Sequence, residues 1–169
     1  MRITFSNIIK KYMNLRKILS VYEVVFGIAG IGMMFFLVGP KIFAEQVASG
    51  GLYAVLVCIF VLAIVFYSLS ILAGILLFQM KQIGKSISII LHALQIPVFI
   101  VAGVEYLISL GLSLPIYFTL VGKTIGFKFN LFIGPQFSLA IGSDGFMLGL
   151  NVFAIILLIL FMKVQVQQQ

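Results

Sequence analysis

Residues 86–110 read SISIILHALQIPVFIVAGVEYLISL, an apolar run broken only by His92, Gln95, Pro97, Glu105 and a few small residues. The hydrocarbon core of a bilayer is about 30 Å thick and takes roughly 20 apolar residues in helical form, so this run is long enough to cross. Pro97 stands in its middle, where the missing N–H and the ring's clash with the preceding turn predict a kink. On this reading the segment is a membrane-spanning helix.

Three further apolar runs flank it. One covers residues 18–38 and ends at Gly39-Pro40; a second, at 52–78, is long enough to cross with tilt; a third, at 146–162, is followed by Lys163 and a Gln-rich tail. The first exceeds the core of a cleavable signal peptide, which runs to about 15 residues, so a retained span is expected. Upstream, Phe5, Ile8, Ile9 and Tyr12 lie at helical spacing, as a short helix on the cytoplasmic surface or as an extension of the first span. Composition agrees: 63% of the 169 residues are hydrophobic and 9% charged, which makes lipid the expected solvent. The expected fold is all-α, a single integral membrane domain over residues 1–169 built as a four-transmembrane-helix bundle.

Charge predicts the orientation. Arg2, Lys10, Lys11, Arg16, Lys17, Lys81, Lys85 and Lys163 fall on one side of these spans, and Lys41, Lys123 and Lys128 on the other. The positive-inside rule then puts both termini in the cytoplasm, with a bacterial cytoplasmic membrane as the expected location. The formal charge of +7 reads as topology signals and contacts to lipid headgroups, not as a nucleic-acid interface. Cys58 is the single cysteine, so a disulfide or dithiol mechanism within the chain is excluded; it is expected to pack as a small buried apolar residue.

Between the third and fourth runs the pattern changes from helical to alternating. Ile125, Phe127, Phe129, Leu131 and Ile133 alternate with Thr124, Gly126, Lys128, Asn130 and Phe132; beyond Gly134-Pro135, Phe137, Leu139 and Ile141 do the same. A two-residue period marks half-buried strands, so residues 115–145 are expected to hold an extracytoplasmic β-hairpin, with residues 117–121 as a candidate third strand. Phe127, Phe129, Phe132 and Phe137 are the candidate partner surface, because an uncovered strand edge offers unpaired backbone groups. An extended loop folded over the bundle is the alternative.

Few polar residues fall inside the spans. Glu23 lies six residues beyond Lys17 and His92 seven beyond Lys85, so at about 1.5 Å rise per residue both stand at one depth. Ser88, His92 and Gln95 share a helix face. A charge at mid-membrane costs about 2.5–3.5 kcal/mol even on the lenient insertion scale, which makes Glu23, His92 and Gln95 a candidate intramembrane polar site. It reads as a protonatable or cation-binding centre, as interhelical hydrogen bonding that fixes register, or as Glu23 reaching inward to an anchor such as Lys85 or Lys163. Glu105 is expected near the outer interface, facing Lys41, Lys123 or Lys128, and Asn151 as a bridge between helices.

One histidine, one cysteine and four scattered acids supply neither a zinc set nor a nucleophile with its base, and no phosphate loop is present. No enzyme, metal or cofactor is therefore expected. Four spans with a β-like outer segment resemble claudins in topology, without their Trp and paired cysteines. A larger outer segment between spans three and four is similar to tetraspanins, again without their cysteines. A glutamate in the first of four spans, here Glu23, resembles small multidrug transporters, which implies transport, although that family's tryptophan is missing. The function expected from the residues is that of a non-enzymatic accessory or scaffold subunit of a membrane complex. The alternative is a small oligomeric proton-coupled transporter or channel using Glu23 and His92. Membrane lipid, a partner membrane protein and further copies of the chain are the expected partners.

Overall fold

The computed structural model describes residues 5–40, 50–102, 104–121, 124–141 and 146–164. Two long helices come first, α1 (Phe5–Met33), which continues through a π-helical turn at Met34–Val38, and α2 (Gly50–Phe78). After a turn at Gln79–Lys81 comes the shorter α3 (Gln82–Leu94). Eight strands follow: β1 (Pro97–Val101), β2 (Val104–Ser109), β3 (Leu112–Ser113), β4 (Pro115–Val121), β5 (Thr124–Phe129), β6 (Phe132–Ile133), β7 (Gln136–Ile141) and β8 (Phe146–Asn151). The last element described is α4 (Val152–Lys163).

The four-helix bundle is not what forms. Windows Asn14–Leu37 and Tyr53–Phe78 are long and apolar enough to cross a membrane. By contrast, α3 has 13 residues and α4 has 12, about 20 Å and 18 Å of helix against a hydrocarbon core of about 30 Å. The expected spans at 86–110 and 146–162 are each part helix and part strand. At Pro97 the chain does not kink; it changes from helix to strand, and on the other side β8 runs straight into α4. Apolar runs without period look alike as helix or buried strand, and here Val98, Ile100, Val101 and Val104 favour the strand. The likenesses to four-span families fall with the four spans.

The strands form an antiparallel six-stranded sheet in the order β5-β4-β8-β1-β2-β7, with β3 and β6 paired as a separate two-stranded piece. This is more than the expected hairpin, and its pairing differs. Strand β5 pairs with β4, β7 pairs with β2, and the two expected hairpin partners, β5 and β7, lie at opposite edges. The candidate strand at 117–121 is present as β4. Register puts apolar residues on one face throughout: one rung runs Phe127, Phe118, Leu148, Phe99 and Tyr106, and the next runs Phe129, Ile116, Leu150 and Pro97. The other face is mixed, with Tyr117, Thr119, Lys128, Glu105 and Ser138 beside Val98, Ile100, Leu107 and Met147.

Helices α1 and α2 pack as an antiparallel hairpin on small residues. A side chain at Gly74 would meet the Ser20 carbonyl oxygen at 2.7 Å, and one at Gly30 would strike the Tyr67 ring. Upstream, α1 is continuous from Phe5, so the N-terminal segment extends the first long helix. Cys58 is exposed on α2, not buried. The apolar core joins α2 to the sheet: Ala63, Phe66, Tyr67 and Ala73 cluster with Leu91 of α3 and with Ile108 and Leu110.

The helix hairpin yields a direct test. Gly74→Val should lower stability by about 1–3 kcal/mol through overpacking, whereas Gly32→Val, with nothing within 4 Å of its Cβ, should be near neutral. Detergent unfolding midpoints that fall equally for both would contradict this packing.

Candidate functional site

The polar residues of the helices meet where α3 ends and the sheet begins. Glu23, Ser70, Ser88, His92, Gln95, Ser109 and Asn151 are all buried. Of the candidate site, Glu23 and His92 face each other, with Glu23 Oε1 3.6 Å from His92 Nε2 and both side chains fully enclosed. Gln95, the residue at the C-terminal cap of α3, completes the set. Its Nε2 lies 3.2 Å from His92 Nδ1 and donates to the Leu91 carbonyl at 3.1 Å, and its Oε1 accepts from the Leu110 backbone N–H at 2.9 Å.

That last contact fixes the others. A backbone N–H only donates, so the Gln95 atom facing Leu110 is the oxygen and the amide group faces the imidazole. His92 Nδ1 is therefore an acceptor, and the single ring proton of a neutral imidazole sits on Nε2, aimed at the carboxyl of Glu23. An imidazole with hydrogen on Nε2 has no lone pair there for a metal. Among the described residues no group of three or more His, Cys, Asp or Glu is placed to hold one.

The second carboxyl oxygen has its own partner. Ser88 Oγ is 2.8 Å from Glu23 Oε2 and 2.9 Å from the Gly84 carbonyl. With one hydrogen, this hydroxyl donates to a carboxylate, or turns to Gly84 and accepts from a carboxylic acid. The backbone of the same turn is tied as well, since Ser70 Oγ donates to the Glu23 carbonyl at 3.0 Å. Phe161 of α4 stacks on the imidazole with ring centroids 4.8 Å apart. Among the described residues, Glu23 Oε1 and His92 Nε2 have no partner within hydrogen-bonding distance, and neither do Tyr67 OH, Ser109 Oγ and the Arg16 Nε and Nη1 atoms.

Comparison with known protein families, curated proteins and solved structures finds no match to this chain. The geometry therefore carries the functional argument alone.

Several contacts differ from their sequence reading. Asn151 does not bridge helices; its Oδ1 caps α4 by accepting from Ala154 N–H and also accepts from Leu114 N–H. Lys85 does not reach Glu23; its Nζ donates to the carbonyls of Met162 and Val164 at the end of α4. The Glu105 expectation is not among these: its carboxylate accepts from Ser138 at 2.6 Å within the sheet, and two of the lysines it is expected to face, Lys41 and Lys123, lie outside the described residues. The Tyr22 hydroxyl, which the sequence did not single out, accepts from Leu112 N–H at 3.1 Å. A tyrosine midway along an apolar helix was the available signal. On the polar face of the sheet, burial raises the Tyr117 phenol above its ordinary value, Asn130 lowers it by hydrogen bonding, and Glu105 raises it further.

The four aromatic candidates separate into three settings. Phe127 and Phe129 on β5 are 78% and 77% exposed, and Phe132 sits in the small β3–β6 pair. Phe137 turns inward, packing edge-on to Phe66 of α2 with ring centroids 6.2 Å apart.

Removing the tie between the helices and the sheet should be costly. Gln95→Leu leaves the buried Leu110 N–H without an acceptor and should destabilise by about 1–3 kcal/mol. Ser86→Ala, which removes an exposed hydrogen bond within α3, should change stability by no more than about 0.5 kcal/mol. Equal unfolding midpoints for the two variants would overturn this account of Gln95.

Proposed function

We propose that the chain is a non-enzymatic integral membrane protein that serves as an accessory or scaffold subunit, held by the α1–α2 hairpin and joined to a partner membrane protein through strand β5. The observation that supports this most is the combination of an open edge with the most exposed aromatic side chains of the sheet. Strand β5 ends the six-stranded order, and Phe127 and Phe129 stand beside its unpaired backbone. The sheet packs against the middle of α2 through Phe66, at a depth where hydrocarbon offers no hydrogen bonds. Open sheet edges are not tolerated in lipid, so pairing with a strand of another chain is the stable outcome. In hydrocarbon the phenylalanines contribute packing and not transfer from water, so the backbone hydrogen bonds of the edge drive the association. Orientation follows the charges: Arg16, Lys17, Lys81, Lys85 and Lys163 flank one end of the helices, which puts that end in the cytoplasm.

A second reading has its own support. Ser88 keeps a hydrogen bond to Glu23 whether the carboxyl is ionised or protonated, which suits a group that gains and loses a proton. On that reading the chain is a small oligomeric proton-coupled carrier or channel, and Glu23 with His92 is its protonatable centre.

The two readings predict opposite mutant behaviour. For a scaffold, Phe127→Ser with Phe129→Ser should abolish stoichiometric co-purification of a foreign partner from native membranes in mild detergent, and Glu23→Gln should leave it intact. For a carrier, pH-driven flux in proteoliposomes should vanish in Glu23→Gln and persist in the phenylalanine variant. Retention of the partner by the double phenylalanine variant would rule out the β5 interface.

A further inference from the structure

An open groove of about 450 Å³ lies between α2, α3 and the sheet, within the size range of ligand pockets. Its walls are Leu62, Val65 and Leu69 of α2, Ile87 and Ile90 of α3, and Ile108 of β2, with further apolar residues between them. The one hydroxyl on its rim, that of Tyr106, is taken up by the Leu94 carbonyl at 2.7 Å, so the groove offers a ligand no polar partner there.

Depth selects the occupant. The window of α2 that is long and apolar enough to cross a membrane runs Tyr53–Phe78. Leu62, Val65 and Leu69 bracket its centre, and all three are exposed. At about 1.5 Å per residue these three stand roughly 13 Å or more from either end of that window, around the level of the bilayer midplane, which only the ends of acyl chains reach. We infer that this groove is a binding site for one acyl chain of a membrane phospholipid, retained by each chain of the protein. The inference rests on the reading that α2 spans a membrane, but not on the β5 interface.

The site is tested with the full chain in phosphatidylcholine vesicles and in mild detergent. The sequence has no tryptophan, so Val61→Trp, on α2 but outside the groove, is a sole reporter of depth. Quenching by phospholipid brominated near the tail end is expected; its absence would remove the reading and the site together. Native mass spectrometry of the unmodified protein is expected to find one phospholipid per chain. Val65→Phe with Ile90→Phe, which fills the groove with exposed side chains, should cut that occupancy about tenfold, because the packing contacts that retain the chain are lost. Independently, a phosphatidylcholine carrying a diazirine at its tail end should label the unmodified protein at residues 62–69 and 87–94 above the rest of α2. A quenched reporter with no retained lipid, lipid retained equally by the filled variant, uniform labelling, or a polypeptide cross-linked at these positions would overturn the acyl-chain site and leave the span standing.

Discussion

The hydrogen bond from Leu110 N–H to Gln95 holds the two halves of this molecule in register. A helix of 13 residues is too short to cross a hydrocarbon layer of about 30 Å, and its end is buried against the sheet, so its last carbonyls must find donors within the protein. The chain meets this by passing directly into strand. Asn151 N–H donates to the Ile96 carbonyl and Val152 N–H to that of Leu114, so β8 and the entry to α4 close the same junction. Gln95 then links that backbone layer to His92, whose far ring nitrogen stands 3.6 Å from Glu23. Buried polar groups are costly singly and rigid when connected, which is why this layer fixes how the helices and sheet sit on each other.

The two long helices were legible in the sequence because nothing competes with helix over residues 18–38 and 52–78. The two shorter ones were hidden by length alone. Their apolar runs continue into strands of similar hydropathy, so a window that counts apolar residues adds helix to strand and reports one span. The signals that separate them were present. Pro97 opens a strand as readily as it kinks a helix, and Phe146, Leu148 and Leu150 already alternate with Met147 and Gly149 before Asn151 caps α4. Alternation is legible at 124–133, yet periodicity does not carry the choice of partner: β5 pairs with the preceding β4, and β7 with β2, which is distant in sequence. The depth match of Glu23 and His92 was legible because both belong to helices whose inner ends are marked by lysine. Gln95 shared their face, but its acceptor role for Leu110 depended on a strand that the sequence reading had made helical.

An amphipathic sheet beside a membrane-length helix raises a second constraint. Apolar side chains suit hydrocarbon, but the backbone at the edges of β5 and β7 does not. Helices satisfy their own backbones and sheets leave their edges to others. The same geometry underlies both proposals, an acyl chain in the groove beside α2 and another strand at the margin of β5.

The most direct test of this architecture is the backbone conformation of residues 86–110 in bilayers, read from solid-state NMR carbon shifts of labelled isoleucine, leucine and valine. Helical shifts for Ile87, Ile89, Ile90 and Leu91 with β-strand shifts for Val98, Ile100, Val104 and Ile108 are predicted. Helical shifts through Val98 to Ile108 would restore a single crossing helix and contradict the helix-to-sheet junction.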